Sequence, residues 1–254
     1  LGQKHAEAIA AYGGNPILLD LSQDSVETLA NKLSKKFSVN AKGFAVDITD
    51  ESQIKANAAQ LIKLYGKIDG LVNNAANNPK VEDSSDKNFS RLENFPVEVW
   101  NEDIAVGLTG VFLCAKHYGY QIAQNQKGGS IVNISSDLGL IAPDQKLYAK
   151  TGLSDAQQKV KPVSYSVVKT GMIGITRYIS TYWADKNVRC NALSPGGVKK
   201  DQDIQFIRKI KKLIPLNRMA EKNEYHAAIQ FLCSDASSYM NGHNMVIDGG
   251  RSVW

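Results

Sequence analysis

Tyr165 and Lys169 stand four residues apart in the segment YSVVK, a spacing that a helix turns onto one face about one turn apart. A phenol is a poor acid–base group near pH 7, and an adjacent ammonium favours the phenolate and lowers its pKa toward the working range. Tyr and Lys meet at this spacing on many helices by chance, so the pair needs company before it carries an argument. Ser136 closes the apolar stretch SIVNISS, and a serine at the carboxyl end of a parallel strand points into the crevice where open α/β sheets bind ligands. There its hydroxyl can donate to a carbonyl oxygen; the plainer reading is that Ser135 and Ser136 cap the strand and its turn. The segments NNAA (73–76) and SPGG (194–197) end two further apolar runs in small, turn-forming residues. Each can let backbone approach a flat ligand, or can simply close a turn.

Such groups face one ligand only if strands and helices alternate around them, and the chain has that pattern. Apolar runs at 16–21, 43–48, 70–76, 130–136, 188–194 and 244–248 read as strands. Between them lie helix-period stretches: one after Ser22 or Ser25 as cap, then 50–65, 96–124, 162–184 and 221–233. In 50–65 the spacing turns Ile54, Leu61, Ile62 and Leu64 inward, while 77–94 reads as loop and 137–161 as irregular. Repeated βα units predict a three-layer αβα fold, a doubly wound parallel sheet in a single domain over 1–254.

Composition excludes several classes. Among 254 residues, 43% are hydrophobic and 22% charged, an ordinary globular balance that argues against disorder or repeat arrays. No apolar run approaches the roughly 20 residues a membrane helix needs. Cys114, Cys190 and Cys233 are far apart without CxxC spacing, and the four histidines are scattered. No metal site is expected, and the unpaired cysteines suit a reducing, cytoplasmic setting. The net charge of +5 is uneven: six lysines and arginines against two aspartates in 199–212, and four lysines against two aspartates in 143–163. The remainder is close to neutral. Two local basic segments fit an anionic small molecule better than the broad basic face of a nucleic-acid binder.

Taken in order, NNAA, NISSDLG, YSVVK, VRCNALSPGG and the tail from IPLNRMA to NMVIDGG resemble the short-chain dehydrogenase/reductase family along essentially the whole chain. The resemblance implies a Rossmann-type fold, a nicotinamide cofactor and hydride transfer at a carbonyl or alcohol carbon. By matching motif, it assigns Tyr165 as acid/base and Ser136 as the group orienting the substrate oxygen. Lys169 would lower the tyrosine pKa and bind the nicotinamide ribose. Gly2 resembles the last glycine of the phosphate loop, Asp47 and Ile48 the pair at the adenine, Asn73 and Ala75 the cofactor-side turn, and Pro195, Gly196 and Val198 the loop facing the nicotinamide. Asp20, 18 residues past Gly2, suits a ribose 2′-hydroxyl and repels a 2′-phosphate, so NAD(H) is expected over NADP(H). The family is commonly oligomeric, and apolar helix faces near 104–123 and 221–233 lead us to expect a homotetramer or homodimer.

Departures from the family pattern matter as much. The chain opens at Leu1 with no counterpart of the family's first strand, so we expect a longer polypeptide whose mid-sheet strand precedes Leu1. Gly107, in VGLTGVF, stands where the family usually carries an asparagine that assists a proton-relay water. Ser136 and Tyr165 are 29 residues apart, more than the family spacing, so an insertion around 143–161 is expected to loop out beside the pocket. Lys199 and Lys200 replace the usual threonine after the PG turn and are expected near a cofactor diphosphate or an anionic substrate. They open an amphipathic, lid-like segment over 199–214. The stretches SRLENFP, DLGLIAPDQKLY and DGGRSVW resemble the flagellin-modification (nonulosonic-acid) subgroup, which implies an anionic sugar, either a nucleotide sugar or a sugar phosphate. A non-catalytic nucleotide-binding or scaffold role on the same fold is the alternative that Gly107 and the absent threonine motivate.

Overall fold

The apolar runs are short because each is a strand buried between helices, and alternate residues go to opposite faces. In the computed structural model, described for residues 1–77 and 90–254, six strands form: β1 (Ile17–Asp20), β2 (Lys42–Ala45), β3 (Gly70–Asn73), β4 (Gly129–Ile134), β5 (Val188–Pro195) and β6 (Asn244–Ile247). All pairings are parallel. They form a two-stranded sheet, β1-β2, and a four-stranded sheet, β3-β4-β5-β6; no strand among the described residues joins β1 to β3. The architecture is the expected Rossmann-type α/β fold, with its sheet in two parts.

Period-two alternation is clearest in β4. Val132 and Ile134 join Leu193 of β5 under α1 (Gly2–Ala11) and α9 (His226–Cys233). Ile131 turns to the other face, against Ile122 and against Ile179 of α7 (Val163–Tyr182). A third apolar cluster spans both sheets: Val46 after β2, Ile54 and Leu61 of α3 (Glu51–Tyr65), and Leu113 and Tyr118, with Leu19 and Leu71 packed against it. Here the helical reading needs one correction. Leu64 is 47% exposed, because the buried stripe of α3 runs through Ile54, Asn57, Ala58 and Leu61. Helix starts follow the capping rules. Ser22 Oγ accepts the Ser25 N–H ahead of α2 (Gln23–Phe37), and Asp50 Oδ1 accepts those of Ser52 and Gln53 ahead of α3.

The helix expected over 96–124 runs from 97 to 122, as α4 (Val97–Ile104), α5 (Gly110–Cys114) and α6 (Tyr120–Ile122) separated by wide i→i+5 turns at Ala105–Thr109 and Ala115–Gly119. Gly107 lies in the first wide turn. The expected loop over 77–94 falls largely outside the described residues. The segment 137–161 contains short turns at Asp137–Gly139, Gln145–Tyr148 and Asp155–Gln157. It packs onto α8 (Ile204–Lys211): Leu147 joins Ile210 and Ile214, and the Tyr148 and Phe206 rings lie 5.5 Å apart. Lys209 Nζ donates to the carbonyls of Lys146 and Ala149 at 3.2 and 2.6 Å.

Candidate active site

Tyr165 and Lys169 lie in the first two turns of α7, facing the end of β4, as an i,i+4 pair must if one helix face packs on the sheet. Lys169 is buried, and its Nζ donates to the carbonyl of Ile134 at 2.8 Å, 5.9 Å from the centre of the Tyr165 ring. Ser135 Oγ locks the strand end to the helix through the Lys169 carbonyl at 2.6 Å. Ser136, next along, interacts with the Tyr165 hydroxyl and donates to Asp137 Oδ1 at 2.8 Å. Asp137 is not a free base: its Oδ2 accepts from Arg251 Nη1 at 2.8 Å, with both side chains buried. The C-terminal segment thus braces the strand end that carries Ser136.

A second ammonium completes the cluster. Lys161, at the end of the insertion, holds its Nζ 3.6 Å from the centre of the Tyr165 ring, inside cation–π range. Burial pushes both lysines down to about 8; Asp137 and Asp103 partly oppose the shift at Lys161, and repulsion from Lys161 adds to it at Lys169. Tyr165 departs from expectation. Burial raises its pKa, the Ser136 interaction works the other way, and the charge of Asp137 raises it further. In this arrangement desolvation of the phenolate outweighs the ammonium neighbours.

The cleft beside Tyr165 is lined by Ala76, Asn77, Asp103, Gly107, Lys161 and Val168, among others. Val168 and Gly107 are complementary. A Cβ at Gly107 would collide with the Val168 methyls, so the valine fills the volume of the missing side chain. Asp103, one turn before Gly107, is buried; Ser164 Oγ donates to its Oδ2, and burial raises its pKa. No motif in the sequence singles out Asp103, Lys161 or Arg251 as neighbours of Tyr165 and Ser136. The signal available was a carboxylate four residues before Gly107 on an otherwise apolar helix face.

Most of the remaining predicted residues sit at the carboxyl ends of strands. Gly2 opens α1 so close to the turn after β3 that a Cβ there would lie 2.6 Å from Asn74 Nδ2. Asp20 ends β1, exposed, with Oδ1 accepting the Ser22 N–H at 3.3 Å. Asp47 closes its own turn through Thr49 N–H and Oγ1, and the Ile48 side chain packs toward Gly110. Asn73 spends its side chain on the sheet, where Nδ2 donates to Asn133 Oδ1 at 2.8 Å, and Ala75 two residues on is exposed. Pro195 ends β5, the Gly196 N–H bonds the Ile247 carbonyl, and Val198 pairs with Ala220. Lys199 and Lys200 line a separate open depression with Lys4, Glu221 and Lys222; neither borders the Tyr165 cleft.

A family model described as enoyl-(acyl carrier protein) reductase matches residues 1–252. Trans-4-hydroxycyclohexanecarboxylate dehydrogenase of Sinomonas cyclohexanicum is 32% identical over 260 residues, covering 100% of this chain and 89% of the relative. The chain belongs to the short-chain dehydrogenase/reductase family. Post-translational flagellin modification protein A of Campylobacter coli is a more distant relative, 25% identical over 98% of this chain and 93% of its own. In fold, the chain is similar to a gluconate 5-dehydrogenase from Burkholderia cenocepacia solved with NADP and tartrate. The TM-score is 0.85 at 23% identity, over 99% of this chain and 90% of that one. Short-chain dehydrogenase/reductases use a nicotinamide cofactor, and the residues here fit one: a side-chain-free helix start at Gly2 lies close against Asn74 in the turn after β3, and Asp20 leaves an exposed carboxylate at the end of β1.

Proposed function

We propose that this protein interconverts a secondary alcohol and a ketone on an anionic carbohydrate derivative, with NAD(H) preferred over NADP(H). The observation that carries the reading is the convergence of Ser136, Tyr165 and Lys169 where β4 meets α7. Tyr165 gives a proton to the substrate oxygen in reduction and takes it in oxidation, while Ser136 donates a hydrogen bond to the same oxygen. Lys169, fixed by the Ile134 carbonyl with its Nζ 5.9 Å from the Tyr165 ring centre, would hold the nicotinamide ribose. The dinucleotide, when bound, supplies or accepts the hydride. Gly2, Asp20, Asp47, Ile48, Asn73, Ala75, Pro195, Gly196 and Val198 would border it, Asn73 through its backbone. The exposed Asp20 carboxylate supports NAD(H), since it accepts from a ribose 2′-hydroxyl and repels a 2′-phosphate.

The substrate class rests on charge and on relatives. Lys161 and Lys169 bring two basic nitrogens to the cleft, and the Sinomonas relative is named for a ring alcohol bearing a carboxylate. The flagellin-modification relative supports a sugar. The insertion at 143–161 and the segment 199–214 act together as the cover of the substrate side. Exposed Phe112 and Tyr120, with Tyr178 and Tyr182 on α7, are the apolar surface we assign to a homodimer or homotetramer. Three cysteines without a disulfide suit a cytoplasmic setting.

The test is turnover, followed by nicotinamide absorbance, on a panel of sugar phosphates, nucleotide sugars, uronates and their neutral parents. Tyr165→Phe should lower kcat by about 100-fold or more while leaving NADH binding intact. Unchanged turnover in that variant overturns the acid/base assignment, and tighter binding of NADPH than NADH overturns the cofactor preference.

A further inference from the structure

A proton that reaches Tyr165 must be exchanged with solvent before the next turnover, and the usual aid is absent at position 107. Gly107 offers no side chain, and the Val168 methyls occupy the space one would need. The same cleft wall carries Asp103, one turn earlier on the helix and facing the same way. Its Oδ2 accepts from Ser164, whereas Oδ1 is buried with no hydrogen-bond partner among the described residues. Across the cleft stands Lys161, with its ammonium on the Tyr165 ring.

We propose that Lys161 and Asp103 form the proton outlet of this site, taking over from the side-chain amide that position 107 lacks. The proposal rests on Tyr165 being the acid/base. In the oxidative direction each turnover leaves one proton on the Tyr165 oxygen. Through intervening water that proton passes to the neutral Lys161 amine. The resulting ammonium gives up one proton, again through water, to the Asp103 carboxylate, and Asp103 releases it to solvent at the exposed Asn77 rim. Both bases are then regenerated, and reduction runs the same path inward.

Three features support this route. Lys161 and Asp103 are within Coulombic reach of each other without forming an ion pair, so neither is tied up by the other. Asn77 interacts with the Asp103 carboxyl and is itself exposed, which gives the path an open end. The surrounding charges also favour exchange near neutrality. Lys161 faces Asp137, Asp103, Lys169 and the Tyr165 ring, and burial leaves it near 8; Asp103 faces Glu102, Ser164, Asn77 and Lys161, and burial raises it.

One arm of the test needs no substrate. The full-length protein is labelled with acetic anhydride across a pH series, and lysine reactivity is read peptide by peptide by mass spectrometry. Lys161 should titrate near 8, well below the exposed lysines. Asp103→Asn, nearly isosteric, should lower that midpoint by about half a unit to one unit, because the carboxylate favours the ammonium. The second arm uses the best-turned-over member of the sugar panel. Lys161→Ala and Asp103→Asn should each lower kcat about tenfold or more with KM for NAD unchanged. Added ethylammonium should restore Lys161→Ala, whereas a merely structural lysine would not be rescued. A Lys161 midpoint equal to that of exposed lysines and unmoved by Asp103→Asn overturns the outlet, as does unchanged kcat in both variants. Failure of the Tyr165→Phe test instead removes the underlying reading and leaves the labelling result standing.

Discussion

The fit between Gly107 and Val168 predicts a change of sign in a double-mutant cycle. A Cβ built on Gly107 comes within 3.0 Å of Val168 Cγ2 and 3.3 Å of its Cβ, with Cγ1 closer still. Valine in a helix has one strongly preferred χ1, so it cannot swing aside cheaply, and overpacking of this kind costs about 1–3 kcal/mol. Against that, replacing a helical glycine by alanine gains about 1 kcal/mol in backbone propensity. Gly107→Ala should therefore destabilise the protein by about 1 kcal/mol. With Val168→Ala in place the obstruction is gone, and the same substitution should stabilise by about 1 kcal/mol. The coupling, about 2 kcal/mol, is well above the roughly 0.5 kcal/mol within which independent sites add. Urea unfolding of the four proteins by far-ultraviolet circular dichroism at one pH measures it. Gly107→Ala that stabilises the wild type as much as it stabilises the Val168→Ala background would refute the steric account.

Other consequences follow from the buried polar groups. Arg251→Met strands Asp137 in a site where both side chains are nearly inaccessible, and should cost about 3–5 kcal/mol in urea unfolding, with Asp137→Asn recovering part of the loss. Because Asp137 accepts from Ser136, Arg251→Met should also lower turnover. Burial, reinforced by the charge of His226, depresses His5 to about 4, so the folded protein keeps it neutral where the unfolded chain binds a proton. Stability should then be full above about pH 6.5 and fall by up to roughly 3 kcal/mol as pH drops toward 4. His5→Leu should flatten that slope in denaturation at a series of pH values. Burial pushes Cys114, Cys190 and Cys233 to about 12, so a thiol reagent at pH 8 should react slowly with the native protein and with all three thiols in denaturant.

Strand and helix identities were legible because each carries its own period. The i,i+4 spacing of Tyr165 and Lys169 placed them on one helix face, and the SIVNISS run put Ser136 at a strand end. What lay beyond reach was anything that depends on contacts distant in sequence. Asp137 and Arg251 are 114 residues apart, and nothing local to either announces the pair. Asn73 reads as a turn residue until Asn133, 60 residues on, takes its amide. Lys161 counted as one lysine of a basic segment; only the path of the insertion back to α7 lays it on the Tyr165 ring. The fate of the other cations differs for equally non-local reasons, since Lys209 ties down the insertion and Lys199 and Lys200 border another depression. For Tyr165 the charge of a neighbour is visible in the sequence, while the burial that raises its pKa is not.

The irregularities of this chain are mechanically one unit. Glycine at 107 leaves a hole in the helix packing that Val168 of α7, one position before Lys169, fills. Filling the hole with methyl groups removes a polar group from the wall of a cleft that already holds the buried Lys169 ammonium. The long connection between Ser136 and Tyr165 returns polarity to that wall, because it must re-enter α7 just before Tyr165, and its last residues, Lys161 and Pro162, line the cleft. The connection could not hold Lys161 there on its own. It is clamped at its outer end by Leu147 and Tyr148 against α8, by Lys209 on the carbonyls of Lys146 and Ala149, and by Gln145 on the Lys161 N–H at 2.8 Å. A change at any of these positions therefore acts on Tyr165 through the position of one ammonium, which ties the amphipathic α8 to the chemistry without placing any of its residues in the Tyr165 cleft.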